Sequence, residues 1–188
     1  MLAKRPVVHY GTSIVHGGCV SRPGLCFTAQ ASRLADVEWV NLGFSGSARM
    51  EMIMCTNLVA RIDASLYVLD CLWNMDMKLL QERFEPFVRE LRRHRPTVPI
   101  LLCEDVRTDV RVSRKGLFVR TVFEKLMAEG WKSLFLLRTE EILPADPDLT
   151  LDRCHPNDAG AKIMAHVYAE KVRAILENTP AVQDGRES

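Results

Sequence analysis

The stretch PVVHYGTSIVHGG, Pro6 to Gly18, decides how the whole sequence reads. A short apolar run, Val7 to Tyr10, stops at Gly11 and gives way to Thr12, Ser13 and the glycines Gly17 and Gly18. That pattern predicts a buried strand that ends abruptly and delivers one hydroxyl, Ser13, to the edge of a sheet. A serine hydroxyl becomes a nucleophile only when a base takes its proton and a further group orients that base. The weight given to Ser13 therefore rests on partners elsewhere in the chain.

Four further runs have strand length: Val37 to Leu42, Ser65 to Cys71, Val98 to Cys103 and Ser133 to Leu137. The second of these, SLYVLDC, is almost continuously apolar, as a strand buried on both faces must be. Between and after them, Leu25 to Leu34, Met50 to Ile62, Leu79 to Arg93, Leu117 to Ala128 and Asp158 to Leu176 carry apolar residues at helical spacing. Thr139 to Thr150, with Pro144 and Pro147, predicts an irregular connection. Strands alternating with helices give an α/β fold, a three-layer α/β/α sandwich with a five-stranded parallel sheet. One domain is expected over residues 1–176, with a polar C-terminal tail over 177–188. Ligands of such sheets bind beyond the carboxyl ends of the strands. Ser13, Gly46, Asn74 and Glu104 each follow a strand, so all four are expected on one rim.

A chain of 188 residues that is 47% hydrophobic suits one globular domain with a sizeable core. A net charge of +1 is too near zero to suggest a nucleic acid or an anionic membrane surface as partner. No apolar run is long enough to span a bilayer. The basic residues Lys4 and Arg5 run straight into the serine turn, so no signal peptide is read there. The six cysteines form neither a CxxC pair nor zinc-ligand spacing, and several sit in apolar runs. A reducing, cytoplasmic setting is the expectation, with no metal and no cofactor. The chain starts almost on its first strand, as an excised domain of a longer protein would.

Five histidines could supply a base. His9 lies inside the first strand, His94 in a basic helix end and His166 within a helix, where structural roles are expected. His16 is three residues beyond Ser13 and is read as lining the site. His155 differs, because Asp152 precedes it by three residues in the loop LDRCHP ahead of the last helix. In a tight turn that spacing lets a carboxylate hold the imidazole Nδ1 and aim Nε2 at a serine. Cleavage of an ester also needs donors for a developing oxyanion. The backbone N–H of Ser13, that of Gly46 in a small-residue loop, and the side-chain amide of Asn74 are the candidates. A GxSxG elbow and a GxGxxG dinucleotide fingerprint are both missing after the first strand.

Four blocks together resemble the SGNH hydrolases, the GDSL-like lipase/acylhydrolase family. Gly11-Thr12-Ser13-Ile14 resembles the block that carries the nucleophile. Asn41-Leu42-Gly43-Phe44-Ser45-Gly46 resembles the block whose glycine donates to the oxyanion. Asp70-Cys71-Leu72-Trp73-Asn74-Met75 resembles the block whose asparagine does the same. Asp152-Arg153-Cys154-His155-Pro156 resembles the DxxHP block with its acid and base. The resemblance implies a flavodoxin-like SGNH fold and a serine esterase acting on small acyl esters, acetyl-type and carried by carbohydrates in one bacterial branch. It implies Ser13, His155 and Asp152 as the catalytic triad, with a small-molecule ester as the partner. Acyltransferase and thioesterase chemistry would use the same residues, and a non-catalytic binding module could keep the fold. Thr12 stands where the family carries an aspartate, and Trp73 lies in a block that lacks its usual glycine. Trp73 and Glu104 join His16 as expected substrate-lining residues.

Overall fold

The computed structural model describes residues 2–109 and 111–179. Five strands, β1 (Val7–Gly11), β2 (Trp39–Gly43), β3 (Leu66–Asp70), β4 (Ile100–Cys103) and β5 (Leu134–Leu137), form one sheet in the order β2-β1-β3-β4-β5. Each neighbouring pair is parallel. The helices are α1 (Ser13–His16), α2 (Phe27–Ala35), α3 (Met52–Asn57), α4 (Met77–His94), α5 (Arg114–Ala128), α6 (Thr139–Ile142) and α7 (Asp158–Asn178).

The period-two geometry of a strand sorts its side chains to opposite faces. Val8 and Tyr10 of β1 join Tyr67, Leu69, Ile100 and Leu102 in one core, covered by α3, α4 and α5. Val7 joins Leu66, Val68, Leu101 and Cys103 in the other, covered by α2 and α7. β1, β3 and β4 are buried along their whole length, whereas the edge strand β2 is half-buried. This explains why the central strands read as unbroken apolar runs. Side-chain caps start the long helices: Asp76 accepts from Leu79 N at 2.8 Å, Ser113 from Gly116 N at 3.0 Å, and Asn157 from Ala159 N at 3.0 Å. No helix among the described residues is long and apolar enough to cross a membrane.

Three segments depart from the sequence expectation. The helix expected over Met50 to Ile62 is broken into α3 and a 3₁₀ turn at Val59–Arg61. Met50 has φ +52, and its buried side chain belongs to the core, so packing rather than helical continuity sets its backbone. The connection over Thr139 to Thr150 contains α6 and a 3₁₀ turn at Pro147–Leu149. α7 runs on to Asn178, beyond residue 176, and residues 180–188 of the expected tail lie outside the described residues.

His9 is a core residue, fully buried among Phe27, Trp39 and Tyr168. Its Nε2 is 3.7 Å from Asp70 Oδ2, which accepts the Tyr168 hydroxyl at 3.0 Å. Burial lowers the His9 pKa below 6.5, outweighing the opposing pull of Asp70. His9 is therefore neutral in the fold, and its contribution is present above pH 6.5 and lost as pH falls toward the folded-state value. Urea midpoints should fall as the pH is lowered from about 7.5 to about 5, and His9→Phe should flatten that slope. An unchanged slope in His9→Phe would assign the acid loss to other groups.

Candidate active site

The turn after β1 is tight because glycine permits it. A Cβ on Gly11 would lie 2.3 Å from Val15 Cγ2 and 2.7 Å from the Asp70 carbonyl. The chain thus folds back into α1 at once, with Ser13 as its first residue. Thr12 caps that turn, its Oγ1 accepting from Ile14 N at 3.3 Å, and Gly17 closes it at φ +88. A threonine hydroxyl therefore supplies the turn bonding at the position where an aspartate was the family expectation. On the far side, a Cβ on Gly43 would fall 2.2 Å from His16 N. Asn41 completes the clamp: its Nδ2 donates to Val15 O at 2.6 Å and to Thr28 Oγ1 at 2.8 Å, and its Oδ1 accepts from Gly43 N at 2.9 Å.

The opposing loop is a pinched hairpin. Thr150 and Pro156 form an antiparallel bridge, Leu151 N donates to His155 O at 3.0 Å, and Asn157 N donates to Leu149 O at 3.0 Å. At its tip Arg153 has φ +66. That backbone turns the N–H groups of Cys154 and His155 onto Asp152 Oδ1, at 3.0 and 2.7 Å. Asp152 Oδ2 accepts from His155 Nδ1 at 2.7 Å, and His155 Nε2 meets Ser13 Oγ at 2.7 Å.

Hydrogen bonds from the His155 backbone N–H and then the imidazole hold the Asp152 carboxyl down at about 2. The side chain is 52% exposed, so hydrogen bonding and not burial sets that value. An ionised carboxylate can only accept, so the imidazole carries its proton on Nδ1 and turns a lone pair on Nε2 toward the Ser13 hydroxyl. The arrangement can move a proton from Ser13 to His155 while Asp152 steadies the imidazolium. Among the described residues, Asp152, Cys154 and His155 also offer three metal-ligand atoms within 4.8 Å. Two of them are already engaged in the proton path, and burial together with the Asp152 charge pushes the Cys154 thiol up to about 11.

The strand register brings further expected residues to the same rim. Gly11 pairs with Gly43 on one side and with Asp70 on the other, at the point where the strand order reverses. Phe44 to Ser47 is a turn, with Ser47 N and Ala48 N both donating to Phe44 O at 3.1 Å. Gly46 occupies its third position at φ +69, a left-handed backbone that favours glycine. Asn74 Nδ2 donates to the same Phe44 carbonyl at 3.2 Å, which ties the two loops together and leaves a second amide hydrogen for a ligand. Trp73 is half-buried, donates from Nε1 to Val106 O at 3.2 Å, and lines a groove of about 490 Å³ with Arg107, Asp109, Asp152, Arg153 and Cys154.

His16 and Glu104 lie outside that groove. His16 is exposed on α1 and lines no part of that groove. Glu104 is fully buried, where Arg120 grips its two oxygens at 2.7 and 2.9 Å and Thr139 N donates to it at 2.9 Å. A buried carboxylate so completely paired fixes β4 to α5 and α6 and is not available to a ligand. Asn41, Arg107, Asp109 and Arg153 were not singled out by sequence. Asn41 was visible as an amide at a strand end, and Arg153 as the residue inside the Asp152–His155 pair.

Residues 4–173 match the model of the GDSL-like Lipase/Acylhydrolase family. A putative GDSL-like lipase from Bacteroides ovatus superposes with a TM-score of 0.84 at 31% identity, over 93% of this chain and 54% of that one. A salicylyl-acyltransferase from a tetracycline biosynthetic pathway has a TM-score of 0.76 at 21% identity, over 92% and 55%. A family two carbohydrate esterase from Clostridium thermocellum, in complex with cellohexaose, has a TM-score of 0.71 at 14% identity, over 93% and 65%. The chain thus spans about half the length of the first two. No curated protein matches it. Because Gly43 touches the backbone of α1, Gly43→Ala should destabilise the fold by about 1–3 kcal/mol in chemical denaturation. It should also lower the labelling rate of Ser13 by a fluorophosphonate, and unchanged values of both would show that α1 yields freely.

Proposed function

The chain belongs to the GDSL-like lipase/acylhydrolase family, and on that premise we propose that it is a serine esterase acting on small acyl esters through an acyl-enzyme. The observation that carries the reading is the continuous path from Ser13 Oγ through His155 to Asp152, with 2.7 Å at each step. Ser13 Oγ attacks the ester carbonyl as its proton passes to His155 Nε2. Asp152, ionised throughout, stabilises the imidazolium without taking the proton itself. The carbonyl oxygen gains charge as the tetrahedral intermediate forms. Ser13 N–H, Gly46 N–H and the Asn74 amide are the proposed donors to it. His155 then returns the proton to the leaving alcohol, and water deacylates Ser13 by the same steps in reverse.

Acetyl-type esters of carbohydrates are the proposed substrates, supported by the carbohydrate esterases among the structural neighbours. Half-buried Trp73, in a groove that also carries Arg107, Asp109 and Arg153, suits a polar acceptor better than a long acyl chain. Ser13→Ala in a folded protein should lose about 10³-fold or more in turnover of 4-nitrophenyl acetate. Asp152→Asn should lose up to about 10⁴-fold, because the imidazole then settles in the wrong tautomer. A fluorophosphonate should label Ser13 in the unmodified protein. Unchanged hydrolysis by Ser13→Ala would overturn the reading, and an unlabelled, folded protein would make the chain a binding module.

A further inference from the structure

Arg153 sits on a backbone built for glycine. Its φ of +66 is what lets two N–H groups converge on Asp152. A residue with a Cβ is strained there by about 1–2 kcal/mol, and glycine would relieve that strain. The backbone role therefore gives no reason for a long cationic side chain at this place. Nor does the protein supply one: the exposed Arg153 guanidinium has no carboxylate partner among the described residues.

What the side chain does border is the groove of about 490 Å³ beside Trp73. The other guanidinium on that groove is already engaged. Arg107 donates to both oxygens of Asp109 at 2.9 Å and lies 3.8 Å from Asp105. Asp152 is held by His155, which becomes an imidazolium as Ser13 gives up its proton. Arg153 is thus the guanidinium on this groove with no carboxylate partner among the described residues, next in sequence to Asp152, which one imidazole ring and two hydrogen bonds link to Ser13 Oγ. A guanidinium fork suits a planar oxyanion.

Resting on the esterase reading, we propose that Arg153 is a specificity-determining residue that receives an anionic group of the substrate, a carboxylate or a phosphate, carried a few bonds away from the scissile ester. The Trp73 indole forms the flat wall against which the intervening part of the substrate lies. The bond chemistry is unchanged: Ser13 still attacks, and Arg153 holds the far end.

The test compares matched esters. The anionic group is placed on the acyl side by mono-4-nitrophenyl glutarate against 4-nitrophenyl butyrate. It is placed on the alcohol side by 4-carboxyphenyl acetate against phenyl acetate. In at least one pair the ratio of kcat/KM, anionic over neutral, should fall about five- to tenfold in Arg153→Gln, chiefly through KM. The unmodified ratio should also decline as salt is raised. Arg153→Lys should restore part of the preference, and inorganic phosphate should inhibit the unmodified enzyme more than Arg153→Gln if the group is a phosphate. Ratios that stay the same in both pairs, while the esters are still turned over, would overturn the role of Arg153. Loss of all turnover in the unmodified protein would instead overturn the esterase reading. Binding of glutarate to Ser13→Ala, measured by calorimetry with and without Arg153→Gln, then still decides the Arg153 site.

Discussion

The structure of the site depends on one carboxylate. Asp152 takes two backbone N–H bonds on one oxygen and an imidazole N–H on the other. The first pair folds the loop, and the third bond orients His155. Because all three donate, the carboxyl stays ionised to about pH 2 despite lying in the open. An ionised Asp152 in turn leaves the His155 Nε2 lone pair for Ser13. Loop conformation, protonation state and the hydrogen bond to Ser13 are thus coupled through a single side chain.

That coupling is useful only if Ser13 and the loop meet, and the sheet sees to it. Gly11, Gly43 and Asp70 stand side by side at the carboxyl ends of β1, β2 and β3. The two glycines let backbone touch backbone, so α1 is held between them with Asn41 bonded to its carbonyl. At the other wall, a Cβ on Gly160 would lie 2.2 Å from the Leu149 carbonyl, so the base of the hairpin rests directly on the first turn of α7. Rigid elements therefore fix both partners, and the exposed tip carries the Asp152–His155 pair.

Much of this was legible in sequence, for identifiable reasons. The central strands β1 and β3 are buried on both faces, so their apolar runs stand out and their ends are marked by Gly11 and Asp70. The proline and histidine after Asp152 lie within one short turn, so their geometry is local. Glu104 misled because a charged residue after a strand looks like rim. Only the packing of α5 shows that Arg120 reaches back and closes over it. Met50 misled for the opposite reason: its apolar side chain fitted a helix pattern, but the core claims it from a left-handed backbone.

The sequence by itself determined the fold class, the strand ends and the identity of Ser13, Asp152 and His155 as a candidate set, because these are set by local periodicity and short spacing. Only the tertiary structure decided that a gap of 142 residues closes to 2.7 Å between Ser13 and His155. It also decided that His16 faces solvent, that Glu104 is buried in an ion pair, and that Arg153, without a carboxylate partner among the described residues, lines the same groove as Trp73. Those facts depend on which helix packs over which strand, and no pattern within a single segment encodes them.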